Sequence, residues 1–434
     1  MKVLLTAFGS TGDVYPIIAY GRALEERGHK VVFAAPPLYQ AEVEKAKLEF
    51  LRVPPYWNQQ EFADFMAKQS KTPLPILQLR NLYKAAVPFL GELFAKLEVA
   101  LRDCDALVTS YMFPSFGVIA RKQNKPFAIF YFCHNFIPTS AFAMEGFPPA
   151  PRKLPLKLRQ SYNRRTWAIT NDLIDNTINN ALETFIAEQQ LPPFVGYLTD
   201  PAPLGIVAVS KVLKDRRGIE DPRYVFTGYL RWQAAESAEM EKELETFCAG
   251  QKVPILSFGS VSFGNVEKVM ARFCKHWPRG KKFILQSGWA GLKLPEDRPE
   301  IKIVGKVSHD QLLRFASCVI HHGGAGTTAS VMYAGKPHIV VPHFADQPFF
   351  ASEIKRLGIG VRIPKTRWPE RLPGAVREIE ENQRYTLAAE GLMPKVRAEN
   401  GPAESVAVLE KMVKEWKGWP SPQPNRYNQT QPPF

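Results

Sequence analysis

Short apolar runs alternate with amphipathic segments along most of the chain. "KVLLTAF" is followed by "PIIAYGRALEERG" and then "KVVFAA", so the pattern passes from a continuous apolar run to helical spacing and back. That is a strand–helix–strand unit, with the helix starting near Pro16 and Gly28 at its C-terminal cap. "DALVTS" and "PFAIFYF" continue the series. A second series follows: "VPILSFGS", "KFILQSG", "IKIVGK", "FASCVI" and "HIVVPHF". These runs lead into glycine, serine or histidine, the residue types expected in ligand-contacting loops at the carboxyl ends of parallel strands. Between the two series, "YVFTGYLRWQAAESAEMEKELE" passes from a strand-like run through Gly228 to a charged helical segment, which places a linker over 229–241. The pattern predicts an α/β protein of two doubly wound, Rossmann-like domains facing across a cleft. They would span 1–230 and 231–415, followed by a proline-rich tail over 416–434 that docks loosely or is disordered.

Composition narrows the class. At 434 residues, 45% hydrophobic and 23% charged, the chain is long enough for two cores and ordinary for a globular protein. Its five cysteines are odd in number and widely spaced with no C-x-x-C pair, which argues against a disulfide framework or zinc site and for a reducing, cytoplasmic compartment. The N-terminal apolar run is broken at Gly9 and reads as a first strand, not a secretory leader. No segment reaches the roughly 18 consecutive apolar residues of a membrane span.

The net charge of +14 asks for an anionic partner, yet no nucleic-acid motif accompanies it. Part of the excess lies in "PRKLPLKLRQSYNRR" (151–165), where Arg152, Lys153, Lys157, Arg159, Arg164 and Arg165 interleave with Leu154, Leu156 and Leu158 and no acidic residue intervenes. Two readings fit: a solvated basic face, or a peripheral contact with an anionic membrane.

The densest candidate chemistry lies in "SCVIHHGGAGTTASVMYAGKPHIVVPHFADQPFF". A strand leads through Gly323, Gly324 and Gly326 into a helix, which aims free N–H groups and a positive dipole end at one place. Such a place suits a phosphate, and a histidine entering the turn could donate to a diphosphate oxygen. A tight strand–helix turn with incidental histidines fits equally well. There is no P-loop and no G-x-G-x-x-G fingerprint.

"HHGGAGTT" with "GKPHIVVPHFADQPFFA", and "FGSTGDVYPIIAYGRALEERGHKV" more than 300 residues earlier, resemble the signatures of GT-B fold, nucleotide-sugar-dependent glycosyltransferases of the UDP-glycosyltransferase family. The branch is that of sterol glucosyltransferases and the enzymes that decorate glycopeptide antibiotics. The resemblance is strong across 1–35 and 300–361, weak through 40–200 and absent from the tail. It implies an acceptor-binding N-terminal domain and a donor-binding C-terminal one. It further implies that His322, Gly324, Ala325, Gly326 and Thr327 surround the donor's diphosphate, with a further hydroxyl from Thr328. Asp346 and Gln347 would grip the sugar, Val307 would hold the base through its backbone with His309 nearby, and Ser260 would belong to another donor loop. His321 would pack behind them. The chain departs from the plant branch at the base-stacking and ribose positions, where it has Lys306 and Ser330.

The same resemblance implies inverting, metal-independent transfer of a hexose, glucose first, to a hydroxyl of a lipophilic small molecule. The donor would be a UDP-sugar, with a dTDP-sugar as the alternative. The UDP-sugar is a co-substrate, and no cofactor is expected. Asp13 takes the catalytic-base position, which also reads as a helix cap; Ser110 takes the position of the plant branch's assisting aspartate, and His134 is the reserve base. The aromatic-rich segments "PYWNQQEFADFMAKQ", "LYKAAVPFLGELF" and "FIPTSAFAMEGFPPAP" suit an apolar acceptor pocket for a sterol, terpenoid, polyketide or phenolic, and they also read as ordinary core. A sugar-nucleotide epimerase or hydrolase, or a non-catalytic nucleotide-sugar-binding protein, would share the architecture.

Overall fold

Two parallel sheets organise the chain in a computed structural model that describes all residues except 71, 73, 214–218, 220, 233–235, 260–265, 288–292, 306, 344–345 and 420–434. Ser260, Lys306 and most of the tail therefore lie outside the described residues. The first sheet contains β1 (Lys2–Thr6), β2 (Lys30–Ala35), β3 (Glu49–Arg52), β4 (Ala106–Ser110), β5 (Phe127–Tyr131), β6 (Leu204–Val207) and β7 (Tyr224–Phe226). Their spatial order is β3-β2-β1-β4-β5-β6-β7. The second contains β8 (Val253–Ser257), β9 (Phe283–Gln286), β10 (Ile301–Val304), β11 (Ala316–His321), β12 (His338–Val340) and β13 (Gly360–Arg362), ordered β10-β9-β8-β11-β12-β13. The predicted α/β, GT-B architecture of two doubly wound sheets is what the chain adopts. Central strands such as β1, β4 and β5 read as continuous apolar runs because helices cover both of their faces.

In each sheet the strand order reverses once, between β1 and β4 and between β8 and β11. The crevice outside the carboxyl ends of such strands is where doubly wound proteins bind ligands. At the first crevice stands the helix Thr11–Glu26, which begins before Pro16, not at it. Ser10 and Asp13 form a capping box that satisfies the first turn, and the bond Pro16 cannot make would have gone to the carbonyl of exposed Gly12. At the second crevice stands the helix Ala325–Tyr333, capped only by the backbone of Gly324.

The two halves share an apolar core. Ala329, Met332, Phe350 and Ile354 of the second half pack in one cluster with Val209, Leu213 and Tyr229 of the first. The last helix, Gly401–Lys414, crosses back to the first half, burying Val406 and Leu409 beside the helix Thr11–Glu26. There Glu410 takes Arg27 at 2.7 Å and His29 at 2.8 Å, so packing does not follow a division of the chain at 415. All five cysteines are buried and free. Among the described residues, no helix is long and apolar enough to cross a membrane.

Candidate functional site

The first wall of the site is the turn after β1. Gly9 takes φ +112°, a left-handed conformation that glycine alone adopts readily. A β-carbon there would also lie 2.5 Å from Oδ2 of Asp13. That oxygen accepts from the backbone N–H of Ser10 at 2.8 Å and from its hydroxyl at 2.9 Å. Both bonds fall on Oδ2, so the carboxylate is oriented by one oxygen. Burial raises the Asp13 pKa, and the two Ser10 bonds oppose the rise. Asp13 thus caps the helix as the sequence allowed, without committing its other oxygen to the cap.

Across the strand-order reversal, β4 ends at Ser110, whose buried hydroxyl has no protein partner. The next residue, Tyr111, was not singled out from sequence. Its ring stacks on Phe136 (5.4 Å, 19°) and on Tyr131 (6.0 Å, 22°). Burial raises its phenol pKa, reinforced by the charges of Asp346 and then Asp13. Phe8 and Phe113 meet edge to face at 5.2 Å, and Phe113 stacks on Phe116 at 5.6 Å. An aromatic wall thus flanks Asp13. His134 is 5% exposed, between Phe349 at 4.8 Å and Phe226 at 5.5 Å. Its ring is thus packed among aromatic side chains.

The opposing wall is built by the second sheet. His322 follows β11 at the start of the glycine turn, and a β-carbon on Gly324 would lie 2.3 Å from its Nε2. The imidazole therefore occupies space that only glycine leaves open. Burial pushes its pKa down to about 3, so the ring is neutral and carries a single N–H donor. Its Nδ1 is buried without a partner. Beyond it the helix Ala325–Tyr333 begins with no side-chain cap, which leaves the N–H groups of Gly326 and Thr327 for a ligand. Thr328 is fully buried and its hydroxyl is unpartnered.

His321 is used differently. Its Nδ1 accepts the Gly323 N–H at 3.1 Å, which makes Nε2 the donor to Nδ1 of His338 at 2.9 Å. This buried pair braces the turn from behind.

Asp346 precedes the helix Gln347–Arg356. Burial, then the charge of Asp13, pushes its pKa up to about 7, while the Ala325 N–H favours the charged form. Its carboxylate therefore lies at the start of the helix Ala325–Tyr333. Gln347 is 4% exposed, and its Oε1 accepts the His343 N–H at 2.8 Å. Behind the turn, Ser257 donates to Gln286 at 2.7 Å, and Gln286 donates to the carbonyl of Val307 at 2.9 Å. His309 lies 3.4 Å from the Ser257 hydroxyl. Sequence reasoning missed Ser257 and Gln286; the available signal was a polar residue ending each buried strand.

The two walls meet. A β-carbon on Gly326 would lie 4.0 Å from Cα of Gly12, so two helix N-termini converge on one cleft with Asp13 and Asp346 beside them. Two positive dipole ends and neutral imidazole donors suit a polyanion, next to a carboxylate able to take a proton and an aromatic wall.

Residues 3–110 match the glycosyltransferase family 28 N-terminal domain, and residues 291–412 match the erythromycin biosynthesis protein CIII-like C-terminal domain. The chain is 30% identical to glycosyltransferase GtfE of Amycolatopsis orientalis, over 83% of this chain and 85% of that one. It is 27% identical to sterol 3-beta-glucosyltransferase UGT80A2 of Arabidopsis thaliana, over 83% of this chain and 57% of that one. Among solved structures, the glycotransferase of kitacinnamycin superposes with a TM-score of 0.67 at 20% identity, covering 94% of this chain and 98% of that one.

Proposed function

This chain belongs to the family of glycosyltransferases that includes GtfE, enzymes of natural-product and sterol type that use nucleotide sugars, and from that premise we propose an inverting, metal-independent transfer of glucose from UDP-glucose to a hydroxyl of a lipophilic alcohol or phenol. The observation that carries the reading is the convergence of Asp13 with the glycine-framed N-terminus of the helix Ala325–Tyr333.

The acceptor lies against the Phe8, Tyr111 and Phe113 wall with its hydroxyl toward Asp13. Its oxygen attacks the anomeric carbon from the face opposite the diphosphate, and its proton passes to the Asp13 carboxylate. The bond from the anomeric carbon to the diphosphate oxygen breaks, and its electron pair leaves on UDP. Charge growing on that oxygen meets the N–H groups of Gly326 and Thr327 and the N–H of His322, which are in place before the reaction. Asp346 and Gln347 grip the sugar hydroxyls, and Val307 and His309 lie beside the base. Burial raises the Asp13 pKa, which makes its carboxylate a stronger base.

Incubation with labelled UDP-glucose and a panel of sterols and phenolics tests the reading. A β-glycoside from the α-linked donor, formed equally well in chelator, is the expected product. Free glucose alone would instead mark a hydrolase, and UDP binding without turnover a binding protein. Replacing UDP-glucose with dTDP-glucose tests the base.

A further inference from the structure

We propose that the outward face of the helix Leu156–Ala181, with the segment packed beside it, is a docking surface for an anionic lipid bilayer. The inward face of this helix is ordinary: Trp167 and Ile178 are buried against the first half. The outward face is not. Leu156 (62% exposed), Leu158 (56%), Ile169 (50%) and Leu173 (53%) all project into solvent. Leu158, Arg165, Ile169 and Leu173 follow one another at helical spacing and form a single stripe pointing away from the core. Solvated helix faces carry polar residues at such positions.

The stripe does not stand alone. Trp167 donates to the carbonyl of Phe142 at 3.0 Å, Tyr162 to that of Pro148 at 2.9 Å, and Asn163 to that of Ser140 at 2.8 Å. These bonds hold the preceding segment beside the helix, and with it the exposed rings of Phe142 (49%) and Phe147 (36%). Of these donors Tyr162 lies on the stripe's side of the helix and ties Pro148, next to Phe147, there, whereas Asn163 and Trp167 anchor the segment on the inward face.

Charge chooses the occupant. Lys153, Lys157, Arg164 and Arg165 lie on and around this surface, and no ion pair among the described residues engages them. The acidic groups nearby are Glu145, beside Phe147, and Asp172, next to Leu173. Apolar side chains amid uncompensated cations match a bilayer of anionic lipids, which offers acyl chains beneath and negative headgroups around them. A helix of this composition lies in the interface and does not cross it. The segment beside the helix leads in sequence from the turn His134–Phe136, whose Phe136 stacks on Tyr111. A lipid-dissolved acceptor of the reaction proposed above would thus arrive beside the aromatic wall, although docking itself does not depend on that reaction.

Sedimentation with mixed phosphatidylserine and phosphatidylcholine vesicles, without donor or acceptor, tests docking separately from catalysis. The full chain is expected to partition onto these vesicles at low salt, to leave phosphatidylcholine vesicles unbound, and to be released as salt rises. Changing Lys153, Lys157, Arg164 and Arg165 together to Gln should lower partitioning at least about 25-fold, since each engaged cation contributes roughly a factor of five. Changing Leu158, Ile169 and Leu173 together to Ser should lower it at least about tenfold. Both variants should keep wild-type UDP affinity, which shows that they fold. No vesicle binding by the wild type, equal binding to both lipid mixtures, or full binding by the charge variant would overturn the proposal. So would a dimer in ultracentrifugation that the Ser variant dissolves while vesicle binding persists unchanged, because the face would then contact a second copy.

Discussion

Asp13 and Asp346 come from opposite sheets, and the charge of Asp13 helps to raise the pKa of Asp346. A cleft that brings two carboxylates together while offering two helix N-termini is arranged for a ligand that is both anionic and rich in hydroxyls. It also separates the two roles. Asp13 is oriented by Ser10 through one oxygen, whereas Asp346 lies at the start of the opposing helix.

Asp13→Asn is expected to retain UDP affinity within a few-fold while kcat falls on the order of 10²–10⁴-fold, the usual contribution of a general base. Calorimetric titration of UDP beside steady-state kinetics reads both. Turnover within a few-fold of wild type would remove Asp13 from the mechanism and bring His134 forward.

Asp346→Asn is expected to weaken UDP-glucose binding and leave UDP binding unchanged. It should also stabilise the protein at neutral pH. A carboxyl raised to about 7 binds more protons in the native than in the unfolded state between its ordinary value near 4 and 7, so its contribution to stability falls as pH rises through that window. The gain in Tm over wild type should therefore be larger near pH 8 than near pH 5, by the equivalent of roughly 1–3 kcal/mol. An equal gain at both pH values would mean that the native pKa is not raised.

His322→Ala should lower UDP affinity and kcat together, because the diphosphate is both bound ligand and leaving group. His321→Ala should act mainly on stability, by about 1–3 kcal/mol, since it strands the Gly323 N–H and Nδ1 of His338 inside the core. Titration and thermal melts on the two variants distinguish these effects; matching losses of UDP affinity would put both rings against the donor.

Gly9→Ala should reproduce much of the Asp13→Asn defect without touching a reacting group. The new methyl would meet Oδ2 of Asp13 in a backbone conformation with φ +112°. We expect a loss of at least tenfold in kcat with UDP affinity intact, together with a lower Tm. Unaltered kcat would show that the orientation of Asp13 is not critical.

Acid should destabilise the second half first. Burial pushes His322 and His338 down to about 3 and His343 down to about 4, and it lowers His321 as well. In the unfolded chain these rings take up protons below about pH 6.5. Stability is then fully present above that value and is lost as pH falls toward 4. Hydrogen exchange at about pH 5 should show opening around β11 and β12 ahead of β1 and β4; the reverse order would contradict the buried neutral rings.

Much of the fold was legible because central parallel strands are apolar throughout and their helices are not. The strands that escaped detection lack that signature. β3 reads "EFLR" and β13 "GVR", short edge strands with charged residues, and β6 carries Gly205 where the ring of Tyr224 leaves no room for a β-carbon. The glycine turn was legible because its chemistry is local: strand, histidines, glycines and helix follow in order. Tyr111 and Gln286 were not, since each acquires a role only when strand order sets its end of the sheet beside another. The approach of Asp13 to Asp346 was likewise invisible, being a property of how the halves pack.

The return of the last helix has a consequence for anyone recombining such enzymes. Glu410 clasps Arg27 and His29, Val406 and Leu409 complete the first half's core, and Trp416 and Trp419 donate to the carbonyls of Asn124 and Lys125. A chimaera spliced once, at the linker between the sheets, would join one parent's first half to the other parent's closing helix and leave a mismatched seam. Two junctions are needed, so that 401–419 travels with the first half although it is translated after the second. During synthesis the same arrangement leaves the first half unsealed until the ribosome has passed residue 419.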